Sequence, residues 1–334
     1  MLLVVAPDAR AQFAKGAFGW PSVLYASEVA VVVNLESPES VELGEYYRRV
    51  RHIPERNMIR VRIPGSPRVL SPAAFAFLKG DIDRQLDPSI EAMVLVWTTP
   101  YAVDCNSITS ALTLGYQPEL CLKTCNPSKV NPYFDAHSSR PFSDFGLRLA
   151  MLLPTESIEL GRALIDRGVA SDGTSPAGTA YFLKTSDKFR NSRAGFFPPS
   201  GRLTSPPLSL RTLNADSIQG RRDVMFYFTG AVSVPYLDTL RFLPGAVADH
   251  LTSSGGVLLG SGQMSSLRWL EAGATASYGT VSEPCNYWQK FPNPAVFLRH
   301  YLAGDTVIEA YWKSVAWPAQ GVFIGEPLAA PYRH

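Results

Sequence analysis

The sequence predicts an α/β fold: a three-layer sandwich around a mostly parallel sheet, with room for two packed lobes. Three observations predict it. Val29–Asn34 (VAVVVN), 92–98 (AMVLVWT) and 223–229 (DVMFYFT) are continuous apolar runs without alternation, the pattern of strands buried on both faces. Segments with helical spacing lie between such runs, as crossovers between parallel strands require. The stretch from Asp249 to Pro284 then reads as a Gly/Ser-rich turn, a short amphipathic helix and a small-residue strand ending at Glu283, Pro284 and Cys285. In α/β folds the loops at strand ends gather the functional groups.

The elements follow in order. After the first run, Val41, Tyr46, Tyr47 and Val50 mark one face of a helix over 40–50, which Pro54 closes off. A strand over 58–63 completes a βαβ unit. A helix over 72–86 leads to the 92–98 strand, and 105–146 is a Cys-bearing excursion without a clean period. A strand over 147–153, a helix over 157–168 with Gly168 as its C-cap, the turn cluster SDGTSP at 171–176 and a strand over 179–184 come next. Residues 195–215 are Pro-rich and read as a connection between lobes. Strands over 223–229, 243–250, 275–281 and 321–324, and helices over 265–272, 297–302 and 307–315, complete the chain. The division is an N-terminal lobe over 27–215, including the excursion, and a C-terminal lobe over 216–330.

Composition narrows the function. Hydrophobic residues make up 46% of 334, ample for a large core. The net charge is +2 with no long Lys/Arg run, which excludes a protein that tracks a phosphate backbone, so no nucleic-acid partner is expected. No stretch reaches membrane-spanning length. The start, MLLVVAPDARAQ, carries a small-x-small site at Ala9–Ala11. Residues 1–11 are expected to be the remnant of a signal peptide, and the protein to be exported to the periplasm or beyond.

Four cysteines, Cys105, Cys121, Cys125 and Cys285, suit disulfides in an exported protein, with three complete pairings open. Cys121 and Cys125 are near enough to bridge across a turn, and Cys105 and Cys285 each follow a strand end. Cys-x3-Cys without a nearby His is a weak zinc pattern, and no metal or other cofactor is assigned.

The candidate site residues are His250, Asp249, Glu283 and Asp187. His250 beside Asp249 offers a base and a carboxylate, although neighbours on a strand point to opposite faces. Glu283 and Glu326 each follow a strand and together offer paired acids. Asp187, in KTSDK, places a carboxylate beside an ammonium at another strand end. Gly255-Gly256 and Gly260-Ser261-Gly262 offer backbone N–H groups but match no nucleotide-binding fingerprint. Ser265 and Ser266 suit a helix start. Cys285 is the one cysteine considered as a nucleophile.

Several long blocks carry a resemblance: VVVNLESPESVELGEYY with IPERN, SDGTSPAGTAYFLKTSDKFRN, LPGAVADHLTSSGG, GQMSSLRWLEAGATASYGTVSEPCNY and EAYWKSVAWPAQGVFIGEPLA. In them the chain resembles a family of exported bacterial proteins found in genomes with exosortase-type sorting systems. That resemblance implies a cell-envelope address and brings no reaction with it. The order of elements is also similar to the gingipain-type cysteine peptidases, which have the caspase-like fold. The resemblance implies a His after the strand at 224–230, where Ala231 stands, and a Cys near the end of the strand at 247–252, which carries Asp249 and His250 instead. The frame therefore carries over without the catalytic dyad.

The expected function is a non-peptidase binding or scaffold protein of the envelope, with a cell-envelope protein or peptide as partner. The alternatives are a hydrolase, metal-assisted or not, using Asp249, His250 and Glu283 with Asp187 or Glu326, and a thiol enzyme using Cys285.

Overall fold

The computed structural model describes residues 23–334; the expected signal remnant lies outside them. The strands are β1 (Val29–Asn34), β2 (Met58–Val61), β3 (Val69–Leu70), β4 (Ala92–Val96), β5 (Ala102–Val103), β6 (Asn106–Ser107), β7 (Leu149–Leu152) and β8 (Gly178–Lys184). They continue with β9 (Gly201–Arg202), β10 (Leu208–Asn214), β11 (Val224–Gly230), β12 (Phe242–Leu251), β13 (Ala276–Thr280) and β14 (Gly321–Gly325). The helices are α1 (Pro38–Val50), α2 (Pro72–Gln85), α3 (Ile108–Leu114), α4 (Pro118–Leu122), α5 (Pro141–Phe145), α6 (Ile158–Val169), α7 (Leu267–Glu271), α8 (Pro294–Leu302) and α9 (Val307–Ser314).

Local chemistry fixes the helix starts. Ser37, Ser71, Ser107 and Ser157 cap α1, α2, α3 and α6 through their hydroxyls, each satisfying an N–H that the helix leaves open. Pro at the first turn of α1 and α2 adds a preset φ. Asn293 caps α8, and Thr306 with Glu309 forms a capping box on α9.

Eleven strands form one sheet in the order β2-β1-β4-β7-β14-β13-β12-β11-β8-β10-β9. Within β2-β1-β4-β7 and within β13-β12-β11-β8-β10 all pairing is parallel, while β14 runs antiparallel to β13 and β9 to β10. A one-pair bridge of parallel sense, Ile324↔Leu152, joins β14 to β7. It is too short to orient one block against the other; longer-range contacts do that. Gly260, in the loop after β12, packs on the Arg68 guanidinium, in the loop after β2. Ser282, after β13, donates to the Cys105 carbonyl beyond β4 at 2.7 Å. At the opposite margin Glu326, after β14, is bonded by Arg51 at the end of α1. The C-terminal ends of both blocks therefore line one rim. A small sheet, β3-β5-β6, sits over this rim.

Helices cover both faces. On one, α1 meets α6 where Leu43 packs on Gly161, and α7 lays Trp269 across Tyr227 of β11. On the other, Phe297 and Tyr301 of α8 meet Phe226, and Trp312 of α9 stacks on Phe323 of β14. The architecture is thus mixed α/β, a large and mostly parallel central sheet between helical layers.

Two expectations change. Residues 195–215 are not a plain connection, because β10 pairs with β8 along its whole length, from Leu208↔Gly178 to Asn214↔Lys184. The division at 215/216 also runs through hydrogen-bonded sheet, since β8 and β11 are neighbours with Tyr227↔Tyr181 and Phe228↔Phe182 in register. The first block ends at β7, and β8 belongs with the strands after it.

Candidate functional site

The rim is built by the loops after β8, β11, β12 and β13, facing those after β2 and β4. Backbone closeness dictates the glycines here. A Cβ on Gly256 would lie 2.4 Å from the Gly279 carbonyl oxygen, and one on Gly279 would lie 2.4 Å from the Gly255–Gly256 backbone. The loop after β12 lies directly on β13, and only glycine allows that approach. Ser265 starts α7 by accepting from Leu267 N–H, as expected, whereas Ser266 donates to the carbonyls of Gly255 and Tyr278 and ties loop to strand.

The structure does not bring Asp249 and His250 together. They alternate across β12. His250 faces α7 and is 1% exposed. Its Nδ1 accepts from Trp269 Nε1–H at 2.9 Å, and its Nε2 lies 3.0 Å from the Met264 carbonyl. Nε2 must therefore carry the proton, and both ring nitrogens are used. Burial pushes its pKa down to about 3. Asp249 faces the other helical layer, where it forms an ion pair with Arg193, both groups 1% exposed. Arg193 also donates to the carbonyls of Thr229 (2.9 Å) and Asp249 (3.3 Å). Burial pushes the Asp249 carboxyl up, against the pull of Arg193.

Glu283 is exposed and closes a turn by accepting from the Cys285 N–H at 2.7 Å. Glu326 is buried at the opposite margin of the sheet, a β14 length away, about 13 Å at strand rise. There it takes Tyr47 O–H at 2.7 Å and Arg51 Nε–H at 3.0 Å. Arg51 reaches on to Asp172, whose other oxygen accepts from Ala330 N–H. The pairing of Glu283 with Glu326 is corrected accordingly: one is a turn cap, the other an internal strut. Asp187 caps the 3-10 turn 188–191 and pairs with Arg190 at 2.6 Å. Arg190 donates to Thr252, whose hydroxyl donates to Gln263. Asp187 thus belongs to a polar string joining the ends of β8 and β12, and makes no hydrogen bond to His250. Among the described residues no three of His, Cys, Asp and Glu gather as a metal site.

Both suggested cysteine pairings are corrected. Cys105 is bonded to Cys121, and Cys125 to Cys285. The first staples the excursion to the small sheet; the second ties it to the loop after β13. Cys285 is therefore no free nucleophile. Beside this bond Lys290 is fully buried, donates to the Thr124 carbonyl, and has its pKa pushed down to about 8 by burial.

Sequence reasoning missed two features. Arg193, in RNSRAGF, reads as a surface residue yet neutralises Asp249. Arg211, Arg221 and Arg222 surround a cleft on β8 and β10; of these only Arg211 lies within 195–215, the part of the chain read as a connection. The signal available was the Arg-Arg-Asp run immediately before β11.

The geometry defines a disulfide-stapled α/β protein with a mostly parallel sheet. No protein-family model, no curated protein and no solved structure matches the chain.

Proposed function

We propose that this chain is a binding or scaffold protein of an exported, oxidising compartment, built on a caspase-like frame that carries no Cys–His dyad. The observation that supports it best is the fate of His250. Both its nitrogens are bonded inside the protein, and among the described residues neither takes a Ser, Thr or Cys side chain as its partner. The rim that a hydrolase would keep open for chemistry is instead cross-linked, through Cys125–Cys285 and Cys105–Cys121. Such staples suit a rigid recognition surface, because a preformed surface loses less entropy on binding. The two disulfides agree with the exported setting. The parallel order of β11, β12 and β13 supports the caspase-like comparison, and Ala231 after β11 is where the chain departs from it.

The test is a turnover screen of purified protein against peptide, ester, glycoside and phosphoester reporters, run beside a folded His250→Gln variant. We expect no turnover above buffer by either protein. Turnover by the wild type that the variant loses would overturn the proposal. Fractionation of the native host, with thiol trapping, should find the protein outside the cytoplasm with all four cysteines blocked; reduced cytoplasmic protein would contradict it.

A further inference from the structure

A second concave surface lies away from the rim loops. Strands β8 and β10 and the segment leading into β11 enclose a cleft of about 650 Å³, within the range that holds small ligands. Its floor is Thr179 and Tyr181 of β8, with Arg211 of β10 in register beside Tyr181. Its wall is Arg221, Arg222 and Asp223.

What sets this cleft apart from other unpaired arginines, such as Arg49 and Arg56, is that three guanidiniums line one cavity. Arg48, Arg51, Arg190 and Arg193 are each tied to a carboxylate. Arg211, Arg221 and Arg222 make no ion pair and no side-chain hydrogen bond among the described residues, and all three are exposed. Three unpaired guanidiniums around one cavity repel each other, and a bound oxyanion relieves that repulsion through forked hydrogen bonds. Asp223 does not quench them. It accepts from the Thr179 hydroxyl at 2.6 Å and lies 3.4 Å from the Tyr181 hydroxyl. Held so, its carboxylate keeps lone pairs for donors brought by a ligand.

We propose that this cleft binds an acidic saccharide, with the acid group held by the arginines and ring hydroxyls donating to Asp223. The pattern needs anion and hydroxyl on one compact, polar ligand. A phosphodiester chain laid across Asp223 would meet like charge. A peptide would want an apolar anchor pocket, and the lining offers only Leu213 and the Tyr181 ring. This inference rests on the reading of the chain as a binding protein and names a ligand class for it.

Isothermal titration of the whole chain tests it, with trigalacturonate as the carboxylate probe and a heparin-derived tetrasaccharide as the sulfate probe. Maltotriose and triglutamate serve as controls, at low and moderate salt. We expect one or both acidic saccharides to bind, the stronger naming the acid group, with no binding of maltotriose. Arg211→Ala/Arg222→Ala, with an unchanged melting temperature, should weaken binding about tenfold or more. Asp223→Asn should weaken the saccharide and spare inorganic sulfate. Failure of both acidic saccharides to bind, undiminished binding by the double variant, or triglutamate binding as well as the sugars would overturn the proposal. Product analysis separates the two readings: cleavage of a bound saccharide would end the non-catalytic reading and keep the site, whereas no binding would end the site and leave the rim proposal intact.

Discussion

Replacing His250 by Gln tests how this histidine is held. Gln supplies one donor and one acceptor, so it can serve both the Met264 carbonyl and the Trp269 N–H while removing the titrating ring. In the folded protein the imidazole pKa is depressed to about 3, against 6.5 for an unperturbed ring. Between those values the unfolded chain binds a proton that the folded chain refuses. Stability from this group is therefore present above pH 6.5 and is lost as the pH falls toward 3. Linkage gives a loss of about 2.5 kcal/mol between pH 7 and pH 4.5. The assay is urea unfolding of wild type and variant at both pH values. Carboxylates titrate equally in the two proteins, so the difference between their pH dependences isolates the ring. We expect the wild type to lose about 2 to 3 kcal/mol more than the variant over this interval. Equal pH dependence, or an imidazolium NMR signal at pH 6 that the His250→Gln variant lacks, would refute the buried neutral histidine.

Other perturbations follow from the same geometry. Peptide mapping without reduction should recover Cys105 joined to Cys121 and Cys125 to Cys285; any other pairing contradicts the rim described above. Replacing Cys125 and Cys285 by Ser opens a link across 160 residues; the chain-entropy limit is about 5 kcal/mol, read as a melting temperature below that of oxidised wild type and above that of reduced wild type, which loses Cys105–Cys121 as well. Glu326→Gln removes the buried partner of Arg51 and leaves it only the exposed Asp172, so we expect a loss of up to about 3 kcal/mol in denaturant unfolding; a loss below about 1 kcal/mol would show the pair to be solvated. Gly279→Ala drives a methyl into the Gly255–Gly256 backbone and should cost about 1 to 3 kcal/mol, whereas Gly195→Ala, which meets open space, should change little.

Much of the sheet was legible because its strands are buried on both faces. VAVVVN, AMVLV and VMFYFTG announce themselves as unbroken apolar runs, and their positions agree with the sequence reading to within a few residues. β10 escaped because it lies near the sheet margin, alternates exposure, and is flanked by Pro198, Pro199, Pro206 and Pro207, which imitate a linker. The site was less legible. The opposed directions of Asp249 and His250 follow from strand pleat and were foreseen. Their partners were not, because Trp269 lies 19 residues from His250 and Arg193 reaches Asp249 from a separate loop. Disulfide pairing depends on how the excursion folds back over the sheet, which no local pattern encodes. Glu326 looked like a companion of Glu283 because both follow strands, but antiparallel β13 and β14 send the two ends to opposite margins.

The position of β14 has a consequence for how the molecule is made. It follows every other described strand in sequence, yet it sits in the middle of the sheet, between β7 and β13. Until residues 321–325 are in place, each half of the sheet presents a bare edge to the other. Folding must then wait for a late keystone, which is slow by the standards of local topology. The sheet therefore closes only once the last of its described strands has joined the two halves.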